Sequence, residues 1–242
     1  MNIYAKTDKG MVRESNQDTV SYGFIDDNFS WILVCDGMGG QNAGDIASSL
    51  ASEIIEDTIR KNYSKSLSGE DLLNLMDECF ELSNKEVLKT SQKDDKYFGM
   101  GTTAVLTFIK DNSIYISYVG DSRAYIFSDK ELVQLTTDHS MVQEMVINGE
   151  ITKEEAKNHP KRNIITRAIG VKPELKVDHV VRDFSERDLL LICTDGFSNY
   201  IDDNKLIEYF EKFDGELLVD KLIEYANMLG GNDNITVAIA TH

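Results

Sequence analysis

Five aspartates stand where runs of apolar residues break off. Asp36-Gly37 follows the run Trp31–Cys35, and Asp195-Gly196 follows Leu189–Cys193 after a single threonine. Asp121 lies in the turn Gly120-Asp121-Ser122 after Ile114–Val119, and Asp233 comes just before Ile235–Ala240. Asp18 ends the polar stretch from Arg13 to Gln17 that leads into Thr19–Phe24. Carboxylates gathered at one end of a sheet repel one another, by about 4 kcal/mol for charges about 4 Å apart at an effective dielectric near 20, so a cation is the simplest way to hold them. The candidate ligands are all oxygens. His139, His159, His179 and His242 and the three cysteines show no C-x-x-C or H-x-x-x-H spacing, which favours Mg²⁺ or Mn²⁺ over zinc. The glycines after Asp36 and Asp195 leave room, and a backbone carbonyl, for an ion. Singly, each acid also reads as a solvated turn residue or a helix N-cap. Five of them together with the run Gly37-Met38-Gly39-Gly40 are hard to obtain from turn chemistry alone.

The elements that must carry these residues show in the hydrophobic period. Ile46, Leu50, Ile54 and Ile59 share one face of a helix over roughly 43–60, and Leu72, Met76, Cys79, Ser83 and Val87 share one face of a second. Met141, Val142 and Met145 start a shorter helix near Ser140, and Leu218, Leu222, Tyr225 and Leu229 mark a last one closed by Gly230-Gly231. Runs of strand character lie at Trp31–Cys35, Thr103–Ile109, Ile114–Val119, Ala124–Phe127, Leu189–Cys193 and Ile235–Ala240. Asp111-Asn112 and Gly120-Asp121-Ser122 are short enough for hairpins, so the middle of the chain reads as an antiparallel meander. Without a Pro-rich or Ser-rich linker, residues 1–242 read as one α+β domain. The stretch from Asn148 to Gly170 has no strong period and reads as a mobile surface excursion.

Charge and composition remove whole classes of function. In 242 residues the formal net charge is −17, which opposes a nucleic-acid backbone or an anionic membrane surface. The odd, widely spaced Cys35, Cys79 and Cys193 lie in apolar stretches and read as reduced core thiols, so a cytoplasmic location is expected. No apolar run exceeds Trp31–Cys35 or Leu189–Cys193, and the first residues lack a basic region followed by an apolar one, so neither export nor membrane insertion is expected. Asn234-Ile235-Thr236 matches a glycosylation sequon by coincidence in such a chain. Asp138-His139-Ser140 cannot form a hydrolytic triad from adjacent positions, and no G-x-S-x-G or G-x-x-x-x-G-K-[ST] is present.

Six ordered motifs run from end to end: Arg13-Glu-Ser-Asn-Gln-Asp18, Val34-Cys-Asp-Gly-Met-Gly-Gly40, Gly101-Thr-Thr103, Val119-Gly-Asp-Ser-Arg123, Cys193-Thr-Asp-Gly196 and Gly231-Asn-Asp-Asn234. In order and spacing the chain resembles the metal-dependent serine/threonine protein phosphatases of the 2C type, in particular the compact bacterial members. The resemblance implies a four-layer α-β-β-α sandwich, two antiparallel β-sheets flanked by paired helices. It implies two Mn²⁺ or Mg²⁺ ions, with Asp36 bridging them, the Gly37 carbonyl on one, and Asp195 and Asp233 on the other. Asp18 would orient water on the ions. Asp121 with Asp195 would hold a third, weaker ion, and Arg13 would grip the phosphate through its planar fork. Residues 145–170 correspond to the family's flap beside the active site. The implied reaction is in-line attack on phosphoserine or phosphothreonine by a hydroxide bridging the two ions, without a phosphoenzyme. Phosphorylated proteins and a serine/threonine kinase are the implied partners of a monomer. Met38 stands where several eukaryotic relatives have a histidine proposed as general acid, and Met cannot donate a proton; His139 is a candidate, as is water on the ions. Lys161, Arg162 and Arg167 of the flap could meet acidic phosphopeptides. The alternative from another class is a catalytically dead scaffold of the same fold that binds phosphoproteins.

Overall fold

A computed structural model describes residues 1–39 and 43–242; Gly40, which closes the glycine run beside Asp36, lies outside the described residues. Among the described residues the strands form two antiparallel sheets. One runs, edge to edge, β2 (Asp18–Asp26), β3 (Phe29–Met38), β5 (Ala104–Lys110), β6 (Ser113–Val119) and β9 (Asp178–Asp183), with the short β4 (Gly101–Thr102) paired to the end of β3. The other runs β1 (Asn2–Asp8), β11 (Ile235–Thr241), β10 (Leu189–Cys193), β7 (Arg123–Ser128) and β8 (Glu131–Gln134).

Alternation along the central strands dictates the layers. On β3, Phe29, Trp31, Leu33 and Cys35 pack with residues of α1 (Gly44–Asn62) and α2 (Glu70–Ser91), while Ile32 and Val34 face the other sheet. On β10, Leu190 and Ile192 meet Ile32 and Val34 in that inner layer. Leu189, Leu191 and Cys193 pack outward against Leu206 and Phe210 of α6 (Asp203–Lys212) and Leu218 and Leu222 of α7 (Gly215–Met228). A strand covered on both faces has to be apolar at consecutive positions, which is why these strands read as unbroken runs. Each fully buried Leu or Ile contributes about 1.5–3 kcal/mol. The result is the expected α-β-β-α sandwich.

Asp111-Asn112 does join a hairpin, since β5 and β6 pair from Lys110↔Ser113 to Ala104↔Val119. The meander ends there. β6 and β7 belong to different sheets, so Gly120-Asp121-Ser122 carries the chain across the sandwich instead of folding it back. Gly120 has φ +103°, and a Cβ there would lie 2.4 Å from Thr103 Cγ2, so the crossing is packed directly onto the start of β5.

The polar edge strand β9 and the amphiphilic β1 are present although neither forms an apolar run. The excursion over 148–170 is anchored. It holds α4 (Lys153–Lys157), with a reciprocal Thr152/Glu155 cap, and follows α3 (Met141–Ile147), whose first turn donates the Gln143 N–H to Ser140 Oγ. The returning chain exchanges backbone hydrogen bonds between Ile169 and Thr102 (2.9 and 3.1 Å), and the Met141 N–H donates to Ile164 O at 2.8 Å. All three cysteines are free and buried. Among the described residues, no helix is long and apolar enough to cross a membrane.

Candidate active site

The two sheets bring the expected acids to one end of the sandwich. Register places Asp18, at the start of β2, opposite Asp36, near the end of β3. Asp195 opens the short helix α5 (Asp195–Ser198) two residues after β10, and Asp233 lies two residues before β11; β10 and β11 pair side by side. Asp121 sits on the crossing between the sheets. Arg13, Asp36, Gly37, Asp121, Asp195 and Asp233 line one cleft of about 230 Å³, and Asn163 and Ile165 of the excursion form part of its wall. A cavity of about 280 Å³ at the far end of β2 and β3 is lined by Asp26, Phe29 and Asp111 among others and gathers none of these residues.

Asp18 lies behind the cleft, buried. Its Oδ2 accepts from Thr194 Oγ1 (2.9 Å), just past β10, and from Thr236 Oγ1 (2.6 Å) of β11. Oδ1 has no partner. Burial pushes the Asp18 carboxyl up to about 7 against the pull of those hydroxyls, with Asp195 and Asp233 adding to the rise. Burial also raises Asp36 well above the carboxylate range, reinforced by Asp18, Asp195, Asp121 and Asp233. Asp195 is raised by burial and by Asp233, and Asp121 is pushed to about 8 by burial, Asp195 and Asp138. These are carboxylates that press on one another.

Backbone is packed tightly behind them. A Cβ on Gly37 would lie 2.1 Å from Gly44 O, and one on Gly196 would lie 1.9 Å from Asn234 O, so only glycine fits at either place. Residues whose roles the sequence did not disclose complete the frame. The Asp36 N–H donates to Thr103 Oγ1 (3.0 Å), which pairs with Ser122 Oγ (2.8 Å), so one hydroxyl links the Asp36 and Asp121 turns. Asn234 accepts the Gln17 N–H at 2.9 Å and donates to Lys9 O and Ser15 O, holding the Arg13 loop. Both polar atoms of its side chain are therefore engaged. Arg123 forms a bidentate pair with Asp138 (2.8 and 2.6 Å). The signal for these was present in the motifs, because Thr103, Ser122, Arg123 and Asn234 all lie within them.

The donor set suits a hard divalent cation: carboxylate oxygens from four chain segments, the Gly37 carbonyl, and mutual repulsion that positive charge would relieve. The unpartnered buried Oδ1 of Asp18 marks one more oxygen needing a partner. The acids ring the cleft without closing on one point, and among the described residues no three His, Cys, Asp or Glu side chains form a ready-made coordination group. Asp233 is engaged on both oxygens, by Arg13 Nη2 at 2.7 Å and by the Asn234 N–H at 2.8 Å.

Two expectations change. His139 does not line the cleft. It is 5% exposed and committed to Gly120 and Asp178, which removes it as a proton donor to a leaving group. Arg167 is bound to Asp178 at 2.8 Å rather than turned toward a peptide, whereas Lys161 and Arg162 are exposed. A chain of Ser117 Oγ, His179 and Asp77 (2.8 and 3.3 Å) has the residue types of a hydrolytic triad, but Ser117 is fully buried under α2 and bonds Met76 Sδ, so it is a strut.

Comparison with known proteins finds relatives along nearly the whole chain. The family profile described as protein phosphatase 2C matches residues 11–232. The serine/threonine phosphatase stp of Listeria monocytogenes is 37% identical over 240 residues, covering 99% of this chain and 95% of that protein. The serine/threonine phosphatase of S. agalactiae has a similar fold, with TM-score 0.92, 34% identity and coverage of 100% of this chain and 99% of that one. The catalytic domain of the phosphatase PstP, solved in complex with two manganese ions, superposes with TM-score 0.84 at 31% identity over 98% of this chain and 96% of that one.

Proposed function

The chain belongs to the protein phosphatase 2C family, and from that premise we propose that Asp36, Asp195, Asp233 and the Gly37 carbonyl hold two divalent cations, Mn²⁺ or Mg²⁺, at the cleft. The protein is a metal-dependent serine/threonine phosphatase. Its substrates are phosphorylated proteins. The observation that carries the site assignment is the convergence of acids from both sheets, with an arginine beside them, on one cleft whose donors are all oxygen.

When bound, the cations lower the pKa of water to give a nucleophile at neutral pH and neutralise phosphoryl charge. The remaining work falls to the chain's own groups. Asp18, fixed by Thr194 and Thr236, orients water from behind the ligands. Arg13 donates two parallel hydrogen bonds to phosphate oxygens through the fork that otherwise bonds Asp233. Asp121 with Asp195 holds a third, weaker ion. The departing serine or threonine oxygen takes its proton from water in the cleft, since Met38 has none to give and His139 is enclosed.

Residues 1–242 act as one catalytic domain, with 145–170 as a flap that supplies Asn163 and Ile165 to the cleft wall. The three buried thiols fit a cytoplasmic setting, in which the enzyme, a monomer, reverses a bacterial serine/threonine kinase. The intact acids leave no lesion of the sort a dead scaffold would carry. Asp36→Ala tests the reading: calorimetric titration with Mn²⁺ should lose the tight sites, and phosphate release should stop. Mn²⁺-dependent turnover near the wild-type rate in that variant would overturn it.

A further inference from the structure

The turn that carries Asp121 is gripped by a residue 19 positions away that does not line the cleft. The Gly120 N–H donates to His139 Nδ1 at 3.1 Å, and the His139 N–H donates to Gly120 O at 2.9 Å, so one residue holds both polar groups of Gly120. The imidazole stacks on Tyr118, with ring centroids 5.1 Å apart. Behind it, Nε2 lies 3.2 Å from Asp178 Oδ2 and 3.1 Å from Arg167 Nη1, and that Nη1 also donates to Asp178 Oδ1 at 2.8 Å. Because Nδ1 accepts, the single proton of the neutral ring sits on Nε2 and points to Asp178. Burial and Arg167 both favour that neutral form, against Asp178 and Asp138.

The same residue also seats the flap. The His139 carbonyl accepts the Thr166 N–H at 2.8 Å, and the neighbouring Ser140 bridges Ile165. Ile165 lies on the cleft wall, and Arg167, two residues on, completes the brace to Asp178. Asp178 opens β9, the edge strand paired to β6, so the brace is rooted in the sheet from which the Asp121 turn departs.

We propose that His139, braced by Asp178 and Arg167, is a positioning residue that clamps the Gly120-Asp121 turn and the 164–167 stretch of the flap into one unit. Its consequence for turnover rests on the phosphatase reading above; the clamp itself does not. An imidazole is needed because the turn requires an acceptor at Nδ1 and the brace a donor at Nε2, about 2 Å apart on one rigid ring. Asparagine can reproduce the first and glutamine the second.

The test compares His139→Asn and His139→Gln with wild type. Amide hydrogen exchange, read on protein stripped of divalent ions, should rise about tenfold or more at Gly120 in His139→Gln and stay within about threefold in His139→Asn, with β5 amides unchanged in both. With Mn²⁺ and a phosphothreonine peptide, His139→Gln should lower kcat about tenfold and raise the Mn²⁺ concentration for half-activation, while His139→Asn recovers most of the loss. Should either variant fail to fold, nitrogen NMR of the wild-type imidazole decides: Nδ1 unprotonated and Nε2 protonated at pH 7 supports the clamp. The opposite tautomer, or equal Gly120 exchange in both variants, overturns it. A wild-type protein that shows the clamp but releases no phosphate would instead overturn the phosphatase reading and leave the clamp standing.

Discussion

Replacing Gly37 with alanine asks whether the acids depend on the backbone packed behind them. The new Cβ would sit 2.1 Å from Gly44 O and 2.6 Å from Gln17 O, where carbon–oxygen contacts ordinarily start at about 3.3 Å. Neither oxygen is on a flexible side chain. Relief therefore needs about 1 Å of separation between the end of β3 and both the start of α1 and the chain entering β2. That movement strains the Gly37 N–H to Gln17 O bond (3.1 Å) and the Ser48 Oγ to Gln17 O bond (2.7 Å). Overpacking costs about 1–3 kcal/mol and each weakened hydrogen bond about 1, so a loss of about 3–5 kcal/mol is expected. A displacement of about 1 Å at a reacting centre lowers turnover about 100-fold. Gly99→Ala is the control: its φ of +75° costs about 1 kcal/mol in an L-residue, and no atom stands within 4 Å of the new methyl. Urea unfolding and Mn²⁺-dependent phosphate release, measured on both, separate stability from activity. A Gly37→Ala protein as stable as Gly99→Ala and within twofold of wild-type activity would refute the packing argument.

Other outcomes follow from the same geometry. Arg13→Ala should change stability by less than about 1 kcal/mol, because the ion pair with Asp233 is exposed, yet lower kcat/KM about 100-fold on phosphopeptides. Asn84→Ala should cost about 2–3 kcal/mol by urea unfolding and speed amide exchange over 168–173, since its buried amide accepts the Gly170 N–H and donates to Lys172 O and Pro173 O. The raised carboxyls set a pH dependence. Asp18 (about 7) and Asp121 (about 8) titrate above the unfolded value near 3.8, so the folded state binds more protons between pH 4 and 8. Their stabilising contribution is full below the unfolded pKa and is lost as pH rises through the folded one. Protein stripped of divalent ions should thus melt higher at pH 5.5 than at pH 8, and saturating Mn²⁺ should remove that slope; a melting temperature that rises with pH would contradict it.

Much of the scaffold was legible because both faces of its central strands are covered. Trp31–Cys35 and Leu189–Cys193 could be read without a partner, and the acids at their ends then pointed to one site. The turn at 120–122 could not be read this way, because a hairpin and a sheet crossing need the same few residues, and only the packing of Gly120 on Thr103 separates them. β9 escaped notice as an exposed edge strand whose sequence, Asp178-His-Val-Val-Arg-Asp183, supplies pairing rather than core. That Asp18, Asp36, Asp121, Asp195 and Asp233 gather at one end of the sandwich was legible from type and position. What each is tied to was not, since Thr103–Ser122, Asn234–Gln17 and His139–Gly120 join residues 19 or more apart in the chain. His139 illustrates the limit: a histidine beside an aspartate and a serine could be a proton donor or a strut, and its burial against Tyr118 decides for the strut.

The most direct measurement is phosphate release from a phosphothreonine peptide by the purified protein in Mn²⁺, in Mg²⁺ and after chelation, with Asp195→Ala alongside. Release that needs the metal, stops with chelator and is lost in the variant is the expected result. Release that persists at full rate after chelation, or in Asp195→Ala, would contradict the assignment of the cleft as a two-cation phosphatase centre.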